Sequence, residues 1–156
     1  MGEEKFLDHA RNPRNVGLLE DANVVIQAGD SECDDRQIFF IRIEDDTIQD
    51  IRFLIEGCET TVATASIVTE MVMGQSLDTV LTISDRSIAD ALGGLPEEKM
   101  HCAEISALAM HTAVHQYRST TKGGASSSVH TFDNSRIVAQ VLNQPLEQVY
   151  SSEYDL

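Results

Sequence analysis

The chain has no tryptophan, few aromatic residues of any kind (5%), three prolines and three cysteines in 156 residues. So few rings predict a core of aliphatic, alanine and methionine side chains. No apolar run approaches the ~18 residues that a membrane-crossing helix needs, so no membrane association is expected. Met1-Gly2-Glu3-Glu4-Lys5 leads into no apolar signal region, and the Ser or Thr of a myristoylation signal is missing. A soluble, cytoplasmic protein is expected. Bases are scarce as well: 11 Lys and Arg stand against 26 Asp and Glu, a formal charge of -15. Such a surface repels phosphate backbones and favours basic protein partners, so no nucleic acid is expected among the ligands. An odd cysteine count in a cytosolic-looking chain argues against a disulfide framework.

What the chain does have is readable periodicity. Glu3 to Arg11 reads as a short helix, stopped by Asn12-Pro13-Arg14-Asn15-Val16-Gly17. Asn23 to Ala28, Gln37 to Glu44 and Ile48 to Ile55 read as strands. In the second, Phe39, Ile41 and Ile43 alternate with polar residues; in the third, Ile51, Phe53 and Ile55 do. Asp45-Asp46 between them marks a hairpin. Glu59 to Met73 reads as a tightly packed central helix with Gly74 as its stop. Ser76 and Ser84 are placed as N-caps of two short helices. After Gly93-Gly94, Pro96 opens a last helix to about Tyr117, with Met100, Ala103, Ala107, Met110, Val114 and Tyr117 as its apolar stripe. Thr120 to Ser128 is a linker by composition, and a further helix is expected within Asp133 to Tyr150. The order predicts an α+β fold: a three-stranded antiparallel sheet with helices packed mainly on one face.

The chemistry-bearing residues are Cys33, Cys58 and Cys102, each in turn or cap context. Cys58 follows Gly57 where a strand hands over to a helix. Unpaired amides and the helix dipole there make a thiol more acidic, a better nucleophile and a better metal ligand. Cys102 lies near the start of the last helix beside His101, and Cys33 lies on a polar turn with Asp35. Asp35 could cap its turn or bind metal, and the Cys-x-Asp context favours a ligand. His101 could be a satisfied surface histidine, and its place beside Cys102 favours a ligand or proton carrier. Three thiolates with Asp35 or His101 suit tetrahedral zinc. They equally suit an iron–sulfur cluster held less firmly than by four thiolates. A Cys102–His101 enzyme is a third reading, weakened because neighbouring helical residues point about 100° apart. His111 and His115, one turn apart without an acidic partner pattern, read as a solvated face. His9 and Lys99 receive no role.

Four motifs in order resemble a known family: Asn12-Pro13-Arg14-Asn15-Val16-Gly17, Cys33-x-Asp35, Gly57-Cys58 opening a helix, and Leu95-Pro96-x-x-Lys99-x-His101-Cys102. Together they are similar to the IscU/NifU-type iron–sulfur cluster assembly scaffolds, most of all to the N-terminal domain of NifU, over roughly Glu4 to Tyr117. The resemblance implies a scaffold domain at residues 1–118 followed by a linker and tail at 119–156. It implies that Cys33, Cys58 and Cys102 hold a transient [2Fe-2S] cluster, with Asp35 keeping it labile and His101 beside it. It also implies sulfur from a cysteine desulfurase, iron as co-substrate, apo iron–sulfur proteins as acceptors and zinc as an occasional occupant. The role is that of a carrier without turnover of its own. A structural zinc-binding interaction domain is the alternative. Three thiols per chain also leave room for a cluster shared between two copies, a homo-oligomer.

The chain departs from the family in two places. Glu32-Cys33-Asp34-Asp35 stands where the family has small residues beside its cysteine. The added acids disfavour a Cys33 thiolate and leave Cys58 or Cys102 as sulfur acceptors. Leu95-Pro96-Glu97-Glu98-Lys99 replaces the Leu-Pro-Pro-Val-Lys of IscU, which argues against binding of an Hsp70-type chaperone. The tail has no cysteine, unlike the continuation of full-length NifU.

Overall fold

A computed structural model describes residues 2–30, 35–121, 129–131 and 137–141, with side chains for 4–30 and 35–120. Helix α1 (Gly2–Arg11) precedes strands β1 (Val24–Asp30), β2 (Arg36–Glu44) and β3 (Thr47–Glu56). Helices α2 (Glu59–Val72), α3 (Leu77–Val80), α4 (Asp85–Ala91) and α5 (Met100–Thr121) follow, with a 3-10 turn at Glu97–Lys99 leading into α5. The expected antiparallel meander is present. Asp45 and Asp46 both have positive φ, the signature of a two-residue hairpin turn that matches strand twist. From that turn the β2–β3 register runs back to Arg36 opposite Glu56, with one irregularity between Arg42 and Ile43.

Two short strands from the tail, β4 (Val129–Thr131) and β5 (Ile137–Val141), extend the meander to five strands in the order β3-β2-β1-β5-β4. The helix expected within Asp133 to Tyr150 is therefore not formed at 137–141; the rest of that stretch lies outside the described residues. The reason is local and tertiary together. Ile137, Val138 and Val141 favour a pleated conformation, and β1 offers an edge whose backbone groups need partners.

Ile26, Phe39, Ile41, Ile51 and Phe53 are buried on the face that meets α2 and α5 and belong to the main core. The first half of β2 is not half-buried as its alternation predicts. Ile38 and Phe40 on the opposite face are fully buried, in a small cluster with Val25 and Leu54. The outer edge of β3 is bridged by the turn after α1: Phe53 N–H donates to Asn15 O (2.9 Å) and Gly17 N–H to Phe53 O (2.9 Å). The expected caps hold. Ser76 accepts from the Thr79 amide, and Ser84 forms a reciprocal capping box with Ser87.

Helix α1 docks on α2 through polar contacts. His9 is buried, with Nδ1 2.7 Å from Ser66 Oγ and Nε2 3.3 Å from Glu70. Arg14 donates its backbone N–H to the same Ser66 hydroxyl at 2.9 Å. His111, expected on a solvated face, is half-buried and its Nε2 meets Ile83 O at 2.7 Å, which ties α5 to the α3–α4 connection. His115 is exposed as expected.

Candidate functional site

The site forms at one end of the sheet, where three separate segments meet. Register brings the first two together. Because Arg36 pairs with Glu56, the next residue outward on each strand, Asp35 and Gly57, become neighbours. A Cβ on Gly57 would lie 2.7 Å from Asp35 Oδ1 and 3.0 Å from Thr61 Oγ1. Only glycine leaves room for the carboxylate beside the chain reversal into α2. Gly29 has a similar task on the other side, since a Cβ there would lie 2.5 Å from the backbone oxygen of Asp35.

Cys58 is the N-cap residue of α2, with extended backbone (φ -83°, ψ 175°), and is exposed. Burial opposes ionisation of the thiol. The Thr61 hydroxyl and the amides of Thr61 and Thr60 outweigh that cost and the repulsion from Asp35, so its pKa falls below the ordinary thiol value. This is the direction its place at a helix N-terminus predicts. Cys102, the third residue of α5, is fully buried. Burial, with the negative charges of Cys58 and Asp35 nearby, pushes its thiol up to about 12.

Asp35, Cys58 and Cys102 each offer one ligand atom, and the three atoms lie within 4.8 Å of one another. His101 completes the rim. Its Nε2 lies 3.3 Å from Asp35 Oδ2 and 3.7 Å from Cys102 Sγ, while Nδ1 lies 3.2 Å from Glu98 O. The expectation that His101 and Cys102 point apart is thus corrected: the long imidazole arm folds back over the adjacent sulfur. Cys33 lies outside the described residues. Of the residues that flank it, Asp30 donates its backbone N–H to Asp35 O (3.2 Å).

The sequence reading passed over Thr61. Its hydroxyl stands 3.5 Å from Cys58 Sγ and 3.5 Å from Cys102 Sγ. The available signal was spacing, because a residue three after an N-cap folds its side chain back toward the cap. Thr64 binds the same corner from below, its hydroxyl 3.1 Å from Thr61 O and 3.4 Å from Cys102 O.

Chemically, two sulfurs and a carboxylate oxygen within 4.8 Å of one another form a mixed soft and hard donor set. Such a set accepts zinc or iron, with the carboxylate as the weaker partner for a thiophilic centre. The residues present fit a metal or an iron–sulfur cluster. Nucleophilic catalysis by Cys102 is disfavoured because its thiol is buried and hard to ionise.

Residues 1–123 match the NifU-like N terminal domain. The chain is 42% identical over 117 residues to the iron–sulfur cluster assembly scaffold protein IscU 1 of Archaeoglobus fulgidus, covering 75% of this chain and 76% of that protein. It is also 42% identical over 117 residues to the nitrogen fixation protein NifU of Azotobacter chroococcum, covering 74% of this chain and 38% of that longer protein. Its fold superposes on the N-terminal part of a nitrogen-fixing NifU-like protein from Brucella abortus with a TM-score of 0.63 at 15% identity, over 74% of this chain and 92% of the other. Motif order, sheet-end donor cluster, sequence identity and fold agree, and the chain belongs to the NifU-like N-terminal domain family of IscU/NifU scaffolds.

Proposed function

We propose that this protein assembles a transient [2Fe-2S] cluster from iron and desulfurase-derived sulfur and passes it to apo-proteins. The observation that carries the reading is the convergence of Asp35, Cys58 and Cys102 donor atoms within 4.8 Å at the edge of an independently packed core. Cys33 is the third thiolate in this reading. It is two residues from Asp35, a covalent reach of at most ~7 Å. Asp35 keeps the cluster exchangeable, as a hard ligand among sulfurs. His101, against both Asp35 and Cys102, carries protons to and from the sulfur.

Cys58 accepts the incoming sulfur. It is exposed and its thiolate is favoured, whereas Cys102 is buried and disfavoured. The Cys58 thiolate attacks the outer sulfur of a desulfurase persulfide. A new S–S bond forms on Cys58, the old one breaks, and the desulfurase thiolate leaves with the electron pair. No helix among the described residues is long and apolar enough to cross a membrane.

A structural zinc domain is disfavoured because the main core cluster, with Ile26, Phe39, Phe53, Val68 and Met110, includes none of the donor residues. Chelation should leave this protein folded, unlike a domain that folds on its metal. The test is anaerobic transfer: protein loaded with iron, cysteine and a desulfurase, then mixed with apo-ferredoxin. Transfer from wild type and slower transfer from Asp35→Ala are expected. A cluster that never leaves the wild type would refute the carrier role.

A further inference from the structure

Helix α2 carries several hydroxyl residues in one buried run, and they do not behave alike. Thr64 and Thr69 turn their hydroxyls back to the carbonyls three residues earlier, Thr61 O at 3.1 Å and Ser66 O at 2.7 Å. That is the ordinary fate of a helical threonine. Thr61 is just as buried, but its hydroxyl faces two sulfurs, Cys58 Sγ and Cys102 Sγ, at 3.5 Å each. β-branching leaves it few rotamers. Gly57 presses on the same side chain, since a Cβ there would lie 3.0 Å from Thr61 Oγ1 and 3.1 Å from Thr61 Cβ. Thr64 fastens the backbone on either side by its contacts with Thr61 O and Cys102 O. The hydroxyl is thus held between two candidate ligands that come from different helices.

We propose that Thr61 is a positioning residue for the sulfur ligands: its hydroxyl donates to Cys58 Sγ or Cys102 Sγ and sets how strongly each thiolate gives electrons to a bound metal. A hydroxyl has one proton, so it serves one sulfur at a time. The sulfur that receives the hydrogen bond is the weaker electron donor and the other the stronger, as outer-shell hydrogen bonds tune ligands generally. Two thiolates that look equivalent by element are made inequivalent. This rests on the reading that the site binds metal through sulfur, but it does not require cluster assembly or transfer.

Cobalt(II) added anaerobically to the apo-protein is the probe, because sulfur-to-cobalt charge-transfer absorption reports the electron richness of the thiolates directly. Wild type, Thr61→Val, Thr61→Ser and Thr61→Ala are compared, with thermal unfolding as the folding control. Removing the donor should move the charge-transfer bands of Thr61→Val to longer wavelength, and Thr61→Ser should restore the wild-type position. Thr61→Ala replaces Thr61→Val in the comparison if valine is not accommodated. Bands unchanged in the folded variant lacking the hydroxyl would overturn the proposal. So would a Thr61→Ser spectrum shifted as far as that of Thr61→Val, because the shift would then not follow the presence of the hydroxyl. Wild type that binds cobalt without any thiolate bands would instead sink the metal-site reading, and the role of Thr61 with it.

Discussion

At the scale of the residue, the two described thiols are chemically opposite although their sulfurs share one pocket. Cys58 is exposed and its ionisation is favoured; Cys102 is buried and its thiol is pushed up to about 12. Iodoacetamide should therefore modify Cys58 well before Cys102 in apo-protein near neutral pH, as peptide mass spectrometry would show; comparable rates would contradict the assignment. The sign for stability follows from the same shift. The folded state holds the Cys102 proton more tightly than the unfolded chain does. The contribution is complete below the ordinary thiol value of 9.0 and is lost as pH rises toward about 12. Gly57 offers a second test. Gly57→Ala puts a methyl 2.7 Å from Asp35 Oδ1 and 3.0 Å from Thr61 Oγ1. We expect a loss of ~1–3 kcal/mol in denaturant unfolding, the usual cost of overpacking, together with weaker metal binding. Of these residues, Cys58 was legible from its place after Gly57. Thr61 was not: one threonine in a threonine-rich helix looks like its neighbours until α5 is placed against it. Only the contact between His101 and Cys102 was misread, because the 100° helical spacing describes Cβ directions, not the reach of a long side chain.

At the scale of the element, the hairpin does the work of gathering. The Asp45-Asp46 turn sets the β2–β3 register, and the register delivers Asp35 to Gly57 some ten residues away along the strands. Alternation in Phe39-Ile41-Ile43 and Ile51-Phe53-Ile55 was enough to read both strands from sequence. Strand β5 was missed for a physical reason. Five residues are too few to separate the periods of helix and strand, and the edge that decides the matter, β1, is more than a hundred positions earlier. Helix α1 rests on His9, whose pKa is lowered by burial first and by Arg14 second, against the pull of Glu70 and Asp8. A depressed histidine stabilises above its unfolded value of 6.5. That contribution is lost as pH falls through the depressed folded value. The denaturant midpoint should therefore drop between pH 7 and pH 5, and drop less in His9→Gln. Equal drops in the two proteins would remove His9 from the account. Ser84→Ala, which deletes a capping box, should cost ~1 kcal/mol in the same assay.

At the scale of the whole molecule, core and site are separable. Phe39 and Phe53 are fully buried with ring centroids 6.1 Å apart, deep in the layer between sheet and helices. Phe53→Ala should cost ~3–5 kcal/mol, whereas loss of a site cysteine should cost stability far less than it costs metal binding. Fold class and element order were legible because each segment carries its own period and caps. The clustering of donors was not legible from spacing, since Asp35 and Cys58 are 23 positions apart and Cys58 and Cys102 are 44. Only motif order pointed to it. The most direct measurement is therefore iron and acid-labile sulfide per chain, with the visible spectrum, after anaerobic reconstitution of wild type, Cys58→Ala and Cys102→Ala. The account predicts a coloured cluster in wild type and its loss in both variants while thermal unfolding shows them folded. A colourless wild type, or full cluster content in either variant, would contradict it.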